Sequence, residues 1–257
     1  LGSEKYNLRD HCLSMGYNTD DLEALGLISS KNQMDIYRSR LIFPIKSISG
    51  RTIGFGARIL DNNKKSAKYI NSPDSIIYNK SNVLFGLYNS KNEIVKKDNC
   101  FIAEGYTDVM RFHQIGIKNI VSSSGTALTV SQINLIRRLT KNVTMLFDSD
   151  KAGVNATERA VELLLSQGMN IDICILPDNE DPDSFGRSKT SEEINNYVEE
   201  NSVDFIEFNW KGALKIRFVI QLLTVSMLLS SNQSISIFLN KFNAVSYTHL
   251  TLPTKRE

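Results

Sequence analysis

Cysteine is scarce: Cys12, Cys100 and Cys174 are the only three in 257 residues, far apart and without a CxxC pair. That excludes a disulfide framework and a cysteine-ligated zinc site, and makes a reducing cytoplasm the default compartment. Histidine is equally rare. His11, His113 and His249 stand alone, whereas an imidazole metal site needs clustered ligands. Long apolar runs are missing too. The longest nearly apolar stretch, residues 218–229, contains Gln221, Thr224 and Ser226; it is too short to span a bilayer and reads as a buried helix, so no membrane association is expected. No signal-peptide pattern opens the sequence. It starts at Leu1 rather than Met, which reads as a fragment or a trimmed piece.

What the sequence does have is an ordinary globular composition, 41% hydrophobic and 23% charged, over a length that suits one large domain or two small ones. Its formal net charge of +2 conceals a division. Residues 31–97 carry 13 Lys and Arg against 4 Asp and Glu, a balance of +9; residues 98–257 carry 15 against 19, a balance of −4. A basic first half joined to an acidic second half suits a polyanion-binding surface beside a cation-binding pocket. Two differently charged solvated faces would give the same count.

Residues 8–15 read as a helix, and Asn18, Thr19, Asp20 and Asp21 as the cap of a second helix that Gly26 stops. Residues 40–45 and 52–58 read as a hairpin turned at Ser47-Ile48-Ser49-Gly50-Arg51. Gly54 and Gly56 within it mark a bulge or a close backbone approach. Residues 61–82 are polar, basic and loop-like. From residue 99 short apolar runs alternate with amphipathic segments: strands at 100–103, 119–122, 142–147 and 171–176, helices at 107–114, 130–139 and 154–167. This order predicts a parallel sheet covered by helices on both faces. Residues from about 192 onward read as helical.

Three of the four strands run into acids. Glu104 follows the first, with Asp108 close behind; Asp148 and Asp150 follow the third; Asp178, Glu180, Asp181 and Asp183 follow the fourth. Ligands bind at the C-terminal edge of an open parallel sheet, so these carboxylates are expected to converge there. Cations relieve their mutual repulsion, and oxygen donors suit Mg2+ or Mn2+, with waters left for substrate phosphates. Taken singly, each acid is more often a helix cap or a turn residue. Taken together after apolar strands, they point to phosphoryl or nucleotidyl transfer, or to phosphodiester hydrolysis.

The pattern resembles the Toprim fold shared by primases, type IA and type II topoisomerases and some nucleases. Glu104, Asp148 and Asp150 match its glutamate and Asp-x-Asp. Asp108 matches a further acid in the primase form of the first motif, and Asp181 and Asp183 match the primase Asp-Pro-Asp. Upstream, Arg38-Ser39-Arg40-Leu41-Ile42-Phe43-Pro44-Ile45 is similar to the RxRxxFPI segment of bacterial DnaG-type primases. Ile53-Gly54-Phe55-Gly56-Ala57-Arg58 resembles IGFGGR, with Ala57 in a glycine position, tolerable unless φ is positive there. Lys68-Tyr69-Ile70-Asn71-Ser72-Pro73 resembles KYLNSPET. Lys80-Ser81 with Leu84-Phe85-Gly86-Leu87 resembles FxKSxxLYGL, and Gly125-Thr126-Ala127-Leu128-Thr129 resembles GTALT. The similarity runs over roughly residues 5–210.

The resemblance implies an α/β fold, a Toprim-like parallel sheet flanked by helices, preceded by a basic mixed α+β subdomain and followed by a helical segment. The expected boundaries are 1–97 for the basic subdomain, 98–190 for the Toprim metal-binding domain and 191–244 for an incomplete helical segment. Residues 245–257 read as a non-native tail, a translated adaptor sequence. The implied activity is that of a DNA-directed RNA polymerase, a nucleotidyltransferase that joins ribonucleoside triphosphates into short RNA primers on a single-stranded DNA template. Glu104, Asp108, Asp148, Asp150, Asp181 and Asp183 would hold Mg2+ or Mn2+, with Glu104, Asp148 and Asp150 catalytic and Glu104 alternatively a general acid/base. Arg38, Arg40, Arg58, Lys68, Asn71 and Lys80 would hold nucleic acid and nucleotide, and Tyr69 would stack on a base. Full-length primases add a zinc-binding and a helicase-binding domain, which are not visible in this sequence. No zinc site is therefore expected, and the replicative helicase would be met only through a domain absent here. The implied location is the bacterial cytoplasm, at the replisome. Two other readings use the same residues: a Toprim nuclease or topoisomerase fragment, and a catalytically incomplete core that binds single-stranded DNA. Strand-passage enzymes need a catalytic tyrosine on another domain, and nothing singles one out among the nine tyrosines.

Overall fold

Half-buried alternating segments before residue 60 build a small antiparallel sheet, and the short apolar runs after residue 99 build a parallel one. In the computed structural model, residues 7–60, 67–147, 151–177 and 180–204 are described. Helices α1 (Asn7–Ser14) and α2 (Thr19–Ala24) open the chain. The buried Asp35 carboxylate accepts from the first amides of α1, Leu8 N at 2.6 Å and Arg9 N at 3.0 Å. Asn18 caps α2 by accepting from Asp21 N at 2.8 Å.

The small sheet has the order β1 (Arg40–Lys46), β2 (Thr52–Ile59), β3 (Tyr69–Asn71), antiparallel throughout. Phe43 and Ile45 point into the core, while Leu41 and Pro44 are exposed. Pro44 sits on an edge strand, where its missing N–H costs little. Ala57 is fully buried and lies outside the left-handed backbone region, so the position tolerates a side chain.

The chain then passes through a 3-10 turn at Lys80–Asn82 into α3 (Leu87–Lys97). Next come β4 (Cys100–Ala103), α4 (Tyr106–Gln114), β5 (Ile120–Ser122), α5 (Val130–Arg137) and β6 (Asn142–Phe147). They are followed by α6 (Lys151–Ser166), β7 (Asn170–Ile175), α7 (Pro182–Ser188), α8 (Ser191–Asn201) and β8 (Ser202–Asp204). The five strands lie in the order β5-β4-β6-β7-β8. Four are parallel, as the sequence implies, and β8 adds an antiparallel edge against Asp172, Ile173 and Cys174.

Both faces of this sheet are covered, in keeping with the apolar runs of β4 and β5 and the apolar majority of β6 and β7. On one face Cys100, Ile102, Val143, Met145, Ile171 and Ile173 pack with Leu87 and Ile94 of α3, Ile133 and Ile136 of α5, and Val161 and Leu164 of α6. On the other, Phe101, Ala103, Ile120, Leu146 and Cys174 pack with Val109 and Phe112 of α4, Phe185 of α7, and Ile194 and Val198 of α8.

Two features lock the small sheet to the large one. The first is aromatic. Tyr106, the first residue of α4, stacks on Phe43 of β1 (centroids 4.9 Å apart, 6° between planes) and meets Phe85 edge-on at 4.7 Å. Gly56 of β2 makes room for it: a β-carbon there would lie 2.4 Å from the Tyr106 ring. The second is polar. Gln132 of α5 is fully buried; its Nε2 donates to Lys80 O (3.1 Å) and Val83 O (2.8 Å), and its Oε1 accepts from Thr129 N (3.0 Å). Thr129 Oγ1 donates to Ser81 O at 2.6 Å. A backbone bridge between Phe85 and Ser122 completes the seam.

Some elements differ from the sequence reading. The stretch read as loop at 61–82 contains β3 and the 3-10 turn, both paired to elements distant in sequence. Helix α3 was not anticipated, because its polar face hides an apolar stripe of only Leu87 and Ile94 with Ser90. Helix α6 begins at Lys151, earlier than the apolar periodicity indicates. Of the stretch read as helical from about 192, helix α8 runs to Asn201 and the free edge of β7 recruits the next three residues as a strand; the rest of that stretch and the 245–257 tail lie outside the described residues.

Two stability predictions follow from the seam. Gly56→Ala lowers the urea midpoint, with a loss of about 1–3 kcal/mol from overpacking against Tyr106. Gly54→Ala costs less, since a β-carbon there meets Tyr78 at 3.1 Å rather than 2.4 Å. Gln132→Leu leaves Lys80 O, Val83 O and Thr129 N without their partner, at about 1–3 kcal/mol per unsatisfied group, measured by the same denaturation.

Candidate functional site

Glu104 follows β4 directly and stands exposed at the C-terminal edge of the parallel sheet. Its backbone carbonyl accepts from Gly125 N at 3.3 Å, tying the loop after β5 to the same edge. Strand β6, hydrogen-bonded to β4, ends beside it at Phe147. Asp148, Asp150 and Asp178 lie outside the described residues.

Asp108 is buried in the first turn of α4, where its Oδ2 accepts from Gly105 N at 2.8 Å. It fixes the turn that carries Glu104 and starts the helix at Tyr106. Asp181 is the N-cap of α7, its Oδ1 accepting from Ser184 N at 2.7 Å. Ser184 Oγ in turn donates to Glu180 Oε2 at 2.5 Å. Asp183 is largely buried and uses both oxygens on arginines: Arg111 Nε of α4 at 3.1 Å and an Arg187 guanidinium nitrogen at 2.6 Å. Burial alone would raise the Asp183 pKa, but the Arg187 and Arg111 hydrogen bonds and charges outweigh it and hold the carboxyl below its ordinary range. Arg111 was not legible as a site residue: a charged position on an amphipathic helix gives no sign that it reaches another helix.

The basic residues flank this edge from the small sheet, but in different roles. Arg40 is buried, its guanidinium donating to Ala67 O (3.0 Å) and Lys68 O (3.4 Å). It braces the backbone entering β3. Arg38 donates to Asp35 O at 2.5 Å. Arg58 and Lys68 lie over the Tyr69 ring, 5.7 and 5.9 Å from its centroid, and Tyr69 is 6.4 Å from the Tyr106 ring.

Asn71, Lys80 and Tyr106 meet in one network. Lys80 has only donors, so the Asn71 amide turns its oxygen to Lys80 Nζ (2.7 Å) and its NH2 to Tyr106 Oη (2.5 Å) and Ile70 O (3.2 Å). Burial lowers the Lys80 pKa, with Asp74 pulling the other way. Burial pushes the Tyr106 pKa up to about 12, partly opposed by a hydrogen bond with Ser124. The phenol is therefore a neutral donor and acceptor at working pH. Tyr106, Ser124, Thr129 and Gln132 were missed as site-shaping residues, because their roles depend on contacts between distant segments.

The arrangement places Glu104 at the edge of one sheet, the Asn71 amide on the edge strand of the other with Lys80 of the 3-10 turn beside it, and Tyr106 in contact with that amide. Glu104 supplies an oxygen donor of the kind a hard divalent cation takes, although no group of three acids, histidines or cysteines is placed to hold a metal among the described residues, and the cations beside it are of the kind that fit phosphates.

Comparison with known proteins follows the same two segments. The family model described as DNA primase catalytic core, N-terminal domain, matches residues 2–91, and one described as Toprim-like matches residues 101–186. A DNA primase of Clostridium acetobutylicum is 42% identical over 205 residues, covering 79% of this chain and 34% of that protein. The chain thus spans about a third of the length of that curated relative. Among solved structures, the E. coli primase catalytic core is similar with a TM-score of 0.72 at 33% identity, covering 81% of this chain and 67% of that one. A DnaG primase catalytic domain bound to single-stranded DNA has a TM-score of 0.72 at 32% identity, covering 81% and 66%. With two family models in the expected order and a primase core matched over two thirds of its length, the chain belongs to the DnaG-type DNA primases.

Proposed function

We propose that this chain is the catalytic core of a primase, joining ribonucleoside triphosphates into short RNA primers on single-stranded DNA. The observation that carries this reading is the Lys80–Asn71–Tyr106 network, which joins the lysine of the 3-10 turn and the amide of β3 to the helix that starts just after Glu104. The relative solved with single-stranded DNA supports the same partner. In this reading residues 1–97 form the basic subdomain and 98–190 the Toprim domain, and the protein acts in the bacterial cytoplasm at the replisome.

Glu104, Asp148 and Asp150 are the proposed holders of Mg2+ or Mn2+. When bound, the cation neutralises charge on the transferring phosphoryl group and activates the attacking 3′-hydroxyl. Asp108 orients Glu104 through the Gly105 turn. Asp181 and Asp183 are further acids available to the site, Asp183 only by giving up an arginine. Lys80 and Asn71 hold the triphosphate, and Tyr106 keeps the Asn71 amide oriented. Arg58, Lys68 and Tyr69 hold the template, with Arg38 beside them. Arg40 contributes by bracing the backbone of Lys68. Catalysis of this kind rests on positioning and charge neutralisation rather than on a covalent intermediate.

The test is primer synthesis on single-stranded DNA with labelled ribonucleotides and Mg2+ or Mn2+. Wild type is expected to make short RNA, whereas Asp148→Ala with Asp150→Ala makes none yet binds DNA as wild type does. Nucleic-acid cleavage without triphosphates would instead favour a nuclease. A folded wild type that binds DNA and makes no RNA would identify a binding core only.

A further inference from the structure

The hairpin between β1 and β2 carries a second cluster of cations that the primase motifs do not include. Its turn is closed by Gly50 N donating to Ser47 O and Ser47 N donating to Arg51 O, each at 2.9 Å. Beneath it lies Tyr88 at the start of α3; Gly50, at φ +93°, approaches so closely that a β-carbon would meet the ring at 2.6 Å. Lys46 Nζ and Lys91 Nζ lie over that same ring, 5.2 and 4.8 Å from its centroid. Lys91 also donates to Ile48 O at 3.1 Å, fastening the turn to the helix. Arg51 is exposed on the same turn.

Among the described residues, none of Lys46, Arg51 and Lys91 shares an ion pair with an acid. Nearby Glu93 is turned to Lys96 instead. Three cations are therefore gathered at one turn, two of them held by a ring, without a carboxylate to neutralise them. Mutual repulsion opposes that grouping, and a polyanion relieves it.

The cluster repeats the construction seen with Tyr69, where Arg58 and Lys68 lie over one tyrosine. The two are joined by β2, with Arg51 just before the strand and Arg58 near its end. Along this hairpin three glycines each face a tyrosine: Gly50 on Tyr88, Gly54 on Tyr78 and Gly56 on Tyr106. An extended segment from Arg51 to Arg58 covers about 24 Å at roughly 3.4 Å per residue, within reach of one extended nucleic-acid strand.

We propose that Lys46, Arg51 and Lys91, organised by Tyr88, form a second phosphate-contact site for the single-stranded DNA template, continuing its path from the Tyr69 cluster along the hairpin. The proposal rests on the primase reading for the identity of the strand. The contact is to the phosphate backbone and is independent of base sequence, since ammonium and guanidinium groups supply it.

The experiment is fluorescence anisotropy of the full chain with labelled oligodeoxythymidines from about 4 to about 16 nucleotides, across a salt series. The variants are Lys46→Ala with Lys91→Ala, Tyr88→Leu, and Lys96→Ala with Lys97→Ala as an equal charge loss elsewhere on α3. The expected result is normal binding of the shortest strands and weakened binding of the longest by the first two variants. For the lysine pair the salt slope on long strands falls by about 1.4, the value for two lost single-strand phosphate contacts. Unchanged affinity and slope, or an equal loss in the Lys96 and Lys97 variant, would overturn the site. A loss confined to RNA oligomers of the same length would overturn its assignment to the template. Primer synthesis by wild type, run in parallel, separates the two ideas: length-dependent binding lost in the variants while wild type makes no RNA would sink the primase reading and leave the surface standing.

Discussion

Tyr106 is where the two halves of this protein become one site. Its ring is the shared wall of the small sheet and the parallel sheet, flat on Phe43, edge-on to Phe85 and closed over by Gly56. Its hydroxyl reaches the Asn71 amide, which in turn faces Lys80. It sits in the turn that joins Glu104 to α4. A contact of this kind does two things at once. Burial of a large aromatic fixes the distance between the sheets, and the polar tip fixes the orientation of the groups beside it. Glu104 comes from one sheet and Lys80 from the segment that follows the other, so their spacing depends on that seam.

The seam is reinforced from the opposite side by a buried amide. Gln132 sits in the apolar layer above the sheet and spends its NH2 on two carbonyls of the segment bearing Lys80. A buried polar group is tolerable only when fully paired, and this one is paired by holding a separate segment in register. Thr129 does the same with a single hydroxyl. The helix cap of α5 is thereby also the anchor of the segment that carries Lys80. Local capping chemistry and long-range positioning use the same two side chains.

How much of this was legible in the sequence depended on the range of the interaction. Strands β4, β5, β6 and β7 follow from apolar runs, and Glu104 falls at a strand end because strand ends are set by where those runs stop. Gly56 announced a close approach without naming Tyr106 as what approaches. Asn71 and Lys80 stood in separate motifs, and nothing in their spacing showed that they touch. Arg38 and Arg40 illustrate the limit most clearly. They are two residues apart in one motif and chemically identical, yet Arg40 is turned into the protein onto Ala67 and Lys68 carbonyls. Arg40 opens β1 whereas Arg38 precedes it, before the left-handed backbone at Ser39, and the carbonyls that Arg40 meets belong to the entry of β3, a strand too short and too polar to be read from sequence. The strand β8 escaped for a related reason: the demand for it comes from the open edge of β7.

Charge organisation follows the same division of labour. Among the described residues no three acids are placed to share a cation: Asp108, Asp181 and Asp183 are each used in local hydrogen bonds or ion pairs. Arg111 and Arg187 take both oxygens of Asp183, which binds α4 to α7. The basic residues show the converse arrangement. Where Arg40 is satisfied by backbone carbonyls, Arg58, Lys68 and Lys46 lie against tyrosine rings, and Lys91 against a ring and the Ile48 carbonyl. An aromatic face restrains a cation without neutralising it. Side chains restrained in that way lose less freedom on meeting an anion.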